Sequence, residues 1–299
     1  PLARPAAGGH PNLRRLWRRS LPMTPEQYCR ERAAASGSSF LYSFRLLPKA
    51  KREAITAFYA FCREIDDVVD ECREPLVARA KLAWWRDEVA RLQTGAPSHP
   101  VTRALAAHVG PYAIAREQLE EIIDGMAMDL DHNRYPDFRR LRLYCHRVAG
   151  VVGEIAAGIF GYRERATLKY AALLGLAFQL TNIIRDVGED ARRGRIYLPQ
   201  DELERFGVGE SALLRGEDSP AFRALMRFQY ERAEQTYAQA FALLPAVDRK
   251  VQRPGLAMAA VYRALLDEIR RDDFPVLNAR VSLPPLRKLW LVGRAWLTA

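Results

Sequence analysis

The sequence predicts an all-α fold in one domain, and three observations support this. Apolar residues recur at helical spacing over most of the chain, in segments separated by Gly, Pro and Ser. No run shows the period-2 alternation of apolar and polar residues that a half-buried strand needs. No low-complexity insert or long linker divides the 299 residues, and a chain of this length can surround a single large core.

Capping signals mark two of the predicted helix starts. Thr24-Pro25-Glu26-Gln27 combines an N-cap residue, a proline in the first turn and a capping-box glutamine. Pro48 opens a segment that runs to Glu71. Further helical patterns cover Leu76 to Gln93, Ala115 to Leu130, Phe138 to Phe160, Arg165 to Asp190, Ala221 to Leu244 and Leu256 to Arg271.

The net charge is unevenly distributed. The formal charge is +10, but residues 1–22 contain five arginines and no acidic residue. The remainder is mildly basic, which suits an anionic substrate or an anionic membrane surface. No basic stripe interleaved with aromatic residues supports nucleic-acid binding. We expect residues 1–22 to be a basic, disordered N-terminal extension, and 23–299 to be the folded domain that begins at Met23.

Cysteine and histidine spacing gives no sign of a zinc site or a disulfide framework. The four cysteines show no C-x-x-C spacing and the five histidines no H-E-x-x-H pattern. We therefore expect reduced thiols in a cytoplasmic protein. The longest apolar run, near Tyr170 to Leu180, is far shorter than the ~20 residues that span a bilayer, so neither a signal sequence nor a membrane span is predicted.

The predicted helix from Pro48 to Glu71 carries a polar stripe. Its members follow the spacing i, i+4, i+7 and i+11, which places them on one face: Tyr59, Arg63, Asp66 and Asp70. Phenylalanine, isoleucine and valine surround the stripe, so the carboxylates of Asp66, Asp67 and Asp70 are predicted to face a cavity. The alternative on this helix alone is a solvated acidic helix end.

A second polar stripe lies on the predicted helix from Arg165 to Asp190. Its members follow the spacing i, i+3, i+7 and i+11 among apolar residues: Gln179, Asn182, Asp186 and Asp190. Buried carboxylates without partners are costly, so two such stripes indicate bound cations. Oxygen ligands at this spacing suit Mg²⁺, with Mn²⁺ as an alternative, because Mg²⁺ bridges protein carboxylates to substrate phosphates.

A basic segment follows the second stripe. It reads Arg192-Arg193-Gly194-Arg195 and continues into Ile196-Tyr197-Leu198-Pro199. Together with Arg63, these arginines suit a dense anion such as a diphosphate, so the segment is predicted to be a glycine-jointed basic flap. A solvated loop after the helix is the alternative.

At these motifs the sequence resembles the squalene and phytoene synthases, a family of all-α isoprenoid synthases with a central cavity. The resemblance runs from about Thr24 to Trp290. Within this family, the sequence is most similar to the presqualene diphosphate synthases of bacterial hopanoid and squalene pathways. Its landmarks are Ser38-Ser39-Phe40 before Leu46-Leu47-Pro48, Tyr59-Ala60-Phe61-Cys62-Arg63, the Asp66 to Asp70 motif, Tyr144-Cys145 before Val148-Ala149-Gly150, and Gln179 to Asp186. Several motifs in the same order are highly specific.

The resemblance implies roles for individual residues. The metal ligands that it implies are Asp66, Asp67, Asp70, Asn182, Asp186 and Asp190. The substrate-binding residues that it implies are Ser39, Phe40, Tyr59, Arg63, Gln179, Asn182, Arg195, Tyr262 and Arg280. The four aspartates at the ends of the two motifs, Arg63 and Tyr144 would be catalytic. Tyr144 matches a tyrosine proposed to assist proton transfer, but a phenol with a reference pKa of ~10 is a poor base, so released diphosphate is an equally good acceptor.

The implied reaction joins two farnesyl diphosphates head to head, giving presqualene diphosphate and diphosphate without NADPH. Downstream squalene-pathway enzymes would then be partners. Two alternatives stay open: phytoene synthase, which uses geranylgeranyl diphosphate, and a complete NADPH-dependent squalene synthase. A non-catalytic helical scaffold on membranes or acidic partners is the alternative from another class. The predicted walls of the hydrocarbon cavity are Phe40, Phe44, Phe58, Phe178 and Tyr262.

Three weaker signals have structural interpretations. The acidic group Asp124, Asp129, Asp131 and His132 is predicted to be a solvated helix end. The glycines Gly150, Gly153, Gly158 and Gly161 predict close helix packing or a kink, because no strand precedes them as in a phosphate loop. The basic and aromatic run from Leu286 to Trp296 has two open interpretations, a helix lying on the inner face of the membrane or a solvated or packed terminal helix.

Overall fold

The computed structural model describes residues 23–35, 40–72 and 74–298, and none of these forms a β-strand. This confirms the all-α prediction. In chain order the helices are α1 (Pro25–Ala35), α2 (Phe40–Phe44), α3 (Lys49–Glu71), α4 (Pro75–Thr94), α5 (Pro100–Val109), α6 (Arg116–Asp131), α7 (Phe138–Cys145), α8 (Val151–Phe160), α9 (Ala166–Arg192), α10 (Gln200–Phe206), α11 (Glu210–Leu214), α12 (Pro220–Leu243), α13 (Arg253–Arg271) and α14 (Pro285–Thr298). The extension predicted for residues 1–22 lies outside the described residues.

Local sequence signals account for several helix boundaries. At the start of α1 the Thr24 backbone N–H donates to Gln27 Oε1 at 2.8 Å, and the Gln27 N–H donates to Thr24 Oγ1 at 3.2 Å, which forms the predicted capping box. α4 ends at Gly95, whose φ of 74° suits glycine and whose N–H donates to the Arg91 carbonyl. The hydrophobic pattern does not predict α2, α5, α10 or α11, because helices of 5 to 10 residues are too short to display a hydrophobic period.

The predicted helix from Phe138 to Phe160 is interrupted by a π-helical turn, His146–Gly150. The backbones of α8 and α9 approach each other closely at this level. A Cβ atom on Gly153 would lie 2.3 Å from the Ala171 carbonyl oxygen, and one on Gly175 would lie 2.2 Å from that of Ala149. The predicted close helix packing is therefore confirmed at Gly153, while an added Cβ on Gly158 would meet its nearest atom only at 3.7 Å. Gly175, for which the sequence carried no prediction, also requires glycine.

Two hydrophobic clusters lie on opposite sides of the molecule. The first surrounds α3 and includes the fully buried Phe58, Phe61 and Ile65. The second surrounds α9, which packs against α8, α12 and α13. Because the polar stripes lie on α3 and α9, the fold brings the two stripes to the space between the clusters.

Two helical stretches have the length and hydropathy of a membrane span, Phe138–Phe160 and Ala166–Arg192. In the most apolar window of the second, 61% of the residues are buried inside the molecule. Both stretches line the space between the clusters. The core helix of a soluble protein passes the same test, so this is weak evidence of a membrane span.

Candidate active site

A cavity of about 980 Å³ lies between the two hydrophobic clusters. Residues of α3, α8, α9 and α13 form most of its wall, and residues 280–283 also line it. Carboxylates and arginines gather at one end, while aromatic, aliphatic and small side chains line the rest. This combination suits a ligand with a charged head and a hydrocarbon chain.

The first polar stripe lines this cavity from α3, as the sequence predicts. Tyr59, Arg63, Asp66 and Asp70 all belong to the wall, and Arg63 pairs with Asp66. Burial raises the pKa of Asp66, because an apolar environment disfavours a negative charge. The alternative of a solvated acidic helix end is therefore wrong for this stripe.

Asp67 lies apart from the stripe. It follows Asp66 directly and so lies about 100° further round the helix. Its carboxylate contacts Arg32 of α1 and accepts a hydrogen bond from Arg63 at 2.9 Å, and it lines a separate surface groove with Glu64. The sequence analysis expected a metal ligand here, but the structure gives Asp67 the position of an ion pair between α1 and α3.

The second polar stripe faces the same cavity from α9. Glu189, to which the sequence analysis gave no role, also belongs to the wall. The α9 residues that bring polar side chains to the cavity are Gln179, Asn182, Arg185, Asp186, Glu189 and Asp190. Their positions repeat every three or four residues, which is the spacing that keeps side chains on one face of a helix.

Two arginines contact the carboxylates of the second stripe. Arg185 Nε donates to Asp186 Oδ1 at 2.8 Å, and Arg280 Nε lies 3.3 Å from the same oxygen. Arg280 also lies 3.6 Å from Glu189. The pKa of Asp190 is raised to about 7, first by burial and then by the negative charge of Asp186.

One amide oxygen in the cavity is buried without a partner. Asn182 Nδ2 donates to Gln179 Oε1 at 3.3 Å, but Asn182 Oδ1 accepts no hydrogen bond within the described part of the chain. Such an atom is costly to bury, and a cation is one ligand that would satisfy it. The described residues hold no group of three acidic, histidine or cysteine side chains close enough to bind a metal ion by themselves. The donor set therefore fits a divalent cation that takes its remaining ligands from water and a phosphate.

The basic segment after α9 reaches the first stripe. Arg195 Nη1 lies 3.0 Å from Asp70 Oδ1, which joins this segment to the first stripe. Gly194 has a φ of 77°, and the Ile196 N–H donates to the Asn133 carbonyl at 3.0 Å. The segment is thus anchored from Arg195 onward, whereas Arg192, Arg193 and Gly194 are exposed. The alternative of a solvated loop therefore holds only for the first part of the segment.

The other two arginines of this segment differ in position. Arg193 lies 3.7 Å from Asp70 and 3.2 Å from Glu189, so it contributes to the charged end of the cavity. Arg192 donates to the Leu277 carbonyl at 3.2 Å and does not line the cavity.

A buried carboxylate that the sequence analysis placed in solvent lies beside this segment. Asp129 accepts hydrogen bonds from Tyr144 at 2.9 Å and from Tyr197 at 2.8 Å, and all three residues line the cavity. Burial raises the pKa of Asp129 to about 6. Burial likewise raises the pKa of Tyr144 well above its usual value, so the phenol stays protonated and donates. At this site Tyr144 acts as a hydrogen-bond donor to Asp129.

The prediction of a solvated acidic helix end is therefore wrong for Asp129. It holds for two neighbours at the surface, where Asp124 pairs with Arg86 and Asp131 pairs with Arg79. The missed signal is that Asp129 continues the apolar face of α6, seven residues after the buried Ile122.

Aromatic residues line the apolar part of the cavity. Phe44, Phe58, Phe178 and Tyr262 are wall residues as predicted, and the Phe178 and Tyr262 rings lie 4.7 Å apart. Phe40 begins α2, and Ser39 lies outside the described residues. The apolar wall also includes a set of small residues, namely Ala149, Gly153, Ala156, Ala157, Ala171, Gly175 and Gly255.

Comparison with known proteins identifies the family. The squalene/phytoene synthase family model matches residues 33–287. The chain belongs to this family. A phytoene synthase from Arthrospira platensis is 37% identical over 286 residues, covering 91% of this chain and 93% of the relative. A phytoene synthase from Mycobacterium tuberculosis is 39% identical over 264 residues, covering 86% and 85%.

Solved structures of family members share the fold. A dehydrosqualene synthase in complex with ligand has a TM-score of 0.83 and 29% identity, covering 91% of this chain and 95% of that one. The squalene synthase HpnC from Alicyclobacillus acidocaldarius has a TM-score of 0.74 and 25% identity, covering 84% and 94%. The chain is thus a head-to-head isoprenoid synthase acting on prenyl diphosphates, in a family that uses divalent metal ions to bind them.

Proposed function

We propose that this protein is a phytoene synthase, which joins two geranylgeranyl diphosphates head to head. The observation that carries the proposal is the identity of the curated relatives. Eight relatives between 34% and 39% identical, each covering at least 86% of this chain, are phytoene synthases. This replaces the sequence-based expectation of farnesyl diphosphate as substrate. The small residues of the apolar wall are consistent with it, because they leave room for longer chains.

The charged end of the cavity would hold the diphosphate groups. Arg63, Arg195 and Arg280 each pair with a carboxylate of the two stripes and each line the cavity. Guanidinium groups bind phosphate oxygens through paired hydrogen bonds, so the same side chains can turn from carboxylate to diphosphate.

The carboxylates would be free to hold divalent cations once the arginines turn to the substrate. Asp66, Asp70, Asp186 and Asp190, with the unpartnered oxygen of Asn182, form the donor set that we assign to Mg²⁺. When bound, Mg²⁺ supplies the positive charge that stabilises diphosphate as a leaving group. Asp67 is left out of this set because it does not line the cavity.

The apolar part of the cavity would hold the two hydrocarbon chains and exclude water. Water would capture an allylic cation and divert it to an alcohol, so the reaction needs a dry wall. Phe58, Phe178 and Tyr262 line the cavity and provide aromatic faces that stabilise a cation.

The proton lost during condensation would go to released diphosphate. Tyr144 is already committed as a donor to Asp129, and burial keeps its phenol protonated. Asp129 would instead position Tyr144 and Tyr197 at the cavity wall. Diphosphate is therefore the better of the two acceptors that the sequence leaves open.

The test is to incubate purified protein with Mg²⁺ and radiolabelled geranylgeranyl or farnesyl diphosphate, with and without NADPH, and to identify the extracted products. Phytoene formed from the C20 substrate without NADPH is the expected result. Turnover of farnesyl diphosphate alone would overturn the proposed substrate, and absence of any turnover would favour the non-catalytic scaffold.

Presqualene diphosphate synthesis from farnesyl diphosphate is the second candidate. The observation in its favour is the fold similarity to the squalene synthase HpnC, at 25% identity and a TM-score of 0.74. The same incubation separates the candidates, because presqualene diphosphate keeps one diphosphate group and phytoene keeps none.

A further inference from the structure

One end of the cavity carries no charged side chain among the described residues that line it. On α9 the polar lining residues run from Gln179 to Asp190, and the lining residues before them are apolar, aromatic or glycine. α8 and α13 pack against α9 at this earlier level, because Gly153 faces Ala171 and Gly255 faces Tyr170. The apolar end therefore lies where α8 ends and where α9 and α13 begin.

Tyr170 lies at this apolar end, in the second turn of α9. The residue is 1% exposed and lines the cavity. A Cβ atom added to Gly255 of α13 would lie 3.2 Å from the Tyr170 hydroxyl oxygen. The phenol side chain therefore reaches from α9 to the backbone of α13, and it closes the gap between two helices that line the cavity.

The hydroxyl group of Tyr170 has no hydrogen-bond partner within the described part of the chain. A buried hydroxyl without a partner lowers the stability of a fold, and phenylalanine would fill the same space without that cost. The stability of the fold therefore does not explain a tyrosine at this position. A place at the end of the cavity does, because the hydroxyl extends the side chain as far as α13.

Polar contacts beside Tyr170 hold this end of the cavity closed. The Asp248 carboxylate, before α13, accepts hydrogen bonds from the Thr167 hydroxyl at 2.7 Å and from two backbone N–H groups of the loop between α8 and α9, at 2.8 and 3.0 Å. Gln252 Nε2 donates to the Gly161 carbonyl in the same loop at 2.8 Å. These bonds join the loop to the start of α13, so the helices around Tyr170 keep a fixed separation.

The distance from the charged end to Tyr170 matches the length of a C20 prenyl chain. Asn182, which we assign to the metal-binding set, lies about 18 Å from Tyr170 along α9, at a rise of about 1.5 Å per residue. An extended hydrocarbon advances about 1.25 Å per carbon–carbon bond, so a C15 chain spans about 14 Å, a C20 chain about 19 Å and a C25 chain about 24 Å. A C20 chain therefore fills the space up to Tyr170, and a C25 chain exceeds it.

We propose that Tyr170 sets the length limit for the substrate chain that lies along α9, and that a C20 chain is the longest one that fits. This inference rests on the proposed function and adds to it the residue that excludes longer prenyl chains. The last isoprene unit of a C25 chain would have to displace the phenol, which the neighbouring helices hold in place.

The experiment measures binding rather than turnover, so it does not depend on the reaction. The ligands are non-hydrolysable thiolodiphosphate analogues with C15, C20 and C25 prenyl chains, and calorimetric titration in the presence of Mg²⁺ gives their affinities. Tyr170→Ala removes the ring, and Tyr170→Phe removes only the hydroxyl. The control is Phe222→Ala, which removes an equally buried ring on α12 that does not line the cavity.

The native chain is expected to bind the C20 analogue at least ~10-fold more tightly than the C25 analogue, a difference that corresponds to about two carbon atoms left unburied. Tyr170→Ala should bind the two analogues within ~3-fold of each other, because the space of the lost ring accepts the extra isoprene unit. Tyr170→Phe and Phe222→Ala should keep the native ratio. Circular dichroism checks that each variant is folded at the temperature of the titration.

Gly255→Ala tests the same end of the cavity in the opposite direction and removes no core side chain. Its methyl group would lie 3.2 Å from the Tyr170 hydroxyl and 3.5 Å from Leu174, so it narrows the space where a C20 chain ends. The affinity for the C20 analogue should fall at least ~3-fold relative to the C15 analogue. This variant decides the question if Tyr170→Ala does not fold.

Three results would overturn the proposal. The first is a folded Tyr170→Ala variant that keeps the native ratio of C20 to C25 affinity. The second is a native chain that binds the C25 analogue as tightly as the C20 analogue. The third is a Gly255→Ala variant with the native ratio of C20 to C15 affinity. Failure of the native chain to form phytoene would instead refute the proposed function, and the affinity ratios would still report on Tyr170.

Discussion

Gly175 offers a direct test of how the two halves of the site are held together. This glycine lies in α9, one turn before Gln179, and faces the π-helical turn that leads into α8. A Cβ atom added here would lie 2.2 Å from the Ala149 carbonyl oxygen and 2.7 Å from the Ala149 carbonyl carbon. Both are backbone atoms, so no side-chain rotation can relieve the contact. Gly175→Ala must therefore push α9 away from its neighbour by about 1 Å to reach an ordinary contact distance.

The magnitude follows from two opposing effects. Overpacking of this kind costs about 1–3 kcal/mol, and the severity of a backbone contact at 2.2 Å places this case at the upper end. Replacing glycine with alanine in a helix interior by itself stabilises the folded state by about 0.5–1 kcal/mol. The net loss is about 2 kcal/mol, which lowers the unfolding midpoint by about 3 °C in a chain of 299 residues.

The measurement is thermal unfolding followed by circular dichroism at 222 nm, with Gly158→Ala as the matched control. Gly158 is also a helical glycine, but a Cβ atom added to it would meet its nearest neighbour, the Tyr112 carbonyl oxygen, at 3.7 Å. The control should therefore be as stable as the native chain or slightly more stable. Turnover of Gly175→Ala should also fall, because Gln179 and Asn182 move with α9. If Gly175→Ala unfolds at the native midpoint, the close approach does not hold α8 and α9 together.

Three further predictions concern the charged end of the cavity. Asp66→Asn should fold normally but lose activity about 100-fold or more, because one metal-binding carboxylate is removed; unimpaired turnover would contradict its assignment. The raised pKa values of Asp129, about 6, and Asp190, about 7, mean that the folded state binds protons more tightly than the unfolded chain. The metal-free protein should therefore lose stability as pH rises from about 4 to about 7, and Asp190→Asn should reduce this slope in urea unfolding carried out in EDTA. Tyr197→Phe should destabilise the fold by about 1–3 kcal/mol, because Asp129 loses one of its two tyrosine donors; an unchanged urea midpoint would show that this hydrogen bond contributes little.

The two polar stripes were predictable because each is local to one helix. The spacing of Asp66 and Asp70 on α3, or of Asn182 and Asp186 on α9, determines which side chains share a face before any tertiary contact forms. The same rule, applied strictly, would have separated Asp67 from the metal set. Asp67 was predicted to be a metal ligand because it belongs to a family motif, although its position on the helix directs it away from Asp66 and Asp70.

Asp129 could not be recognised from its immediate sequence. Its burial depends on Tyr144 from α7 and Tyr197 from the segment after α9, which are 15 and 68 residues away along the chain. The acidic residues around it are indeed at the surface, so composition favoured the wrong interpretation. Substrate length was unpredictable for a similar reason, because residues from α8, α9 and α13 form the apolar wall together.

The ion pair between Arg195 and Asp70 links two binding events. These side chains satisfy each other at 3.0 Å, so either of them must leave this contact to give its full charge to a ligand. A cation that takes Asp70 frees Arg195 for an anion, and an anion that takes Arg195 frees Asp70 for a cation. Thermodynamic linkage then requires each ligand to raise the affinity for the other by the same factor. The protein would therefore bind metal ion and diphosphate as a cooperative pair.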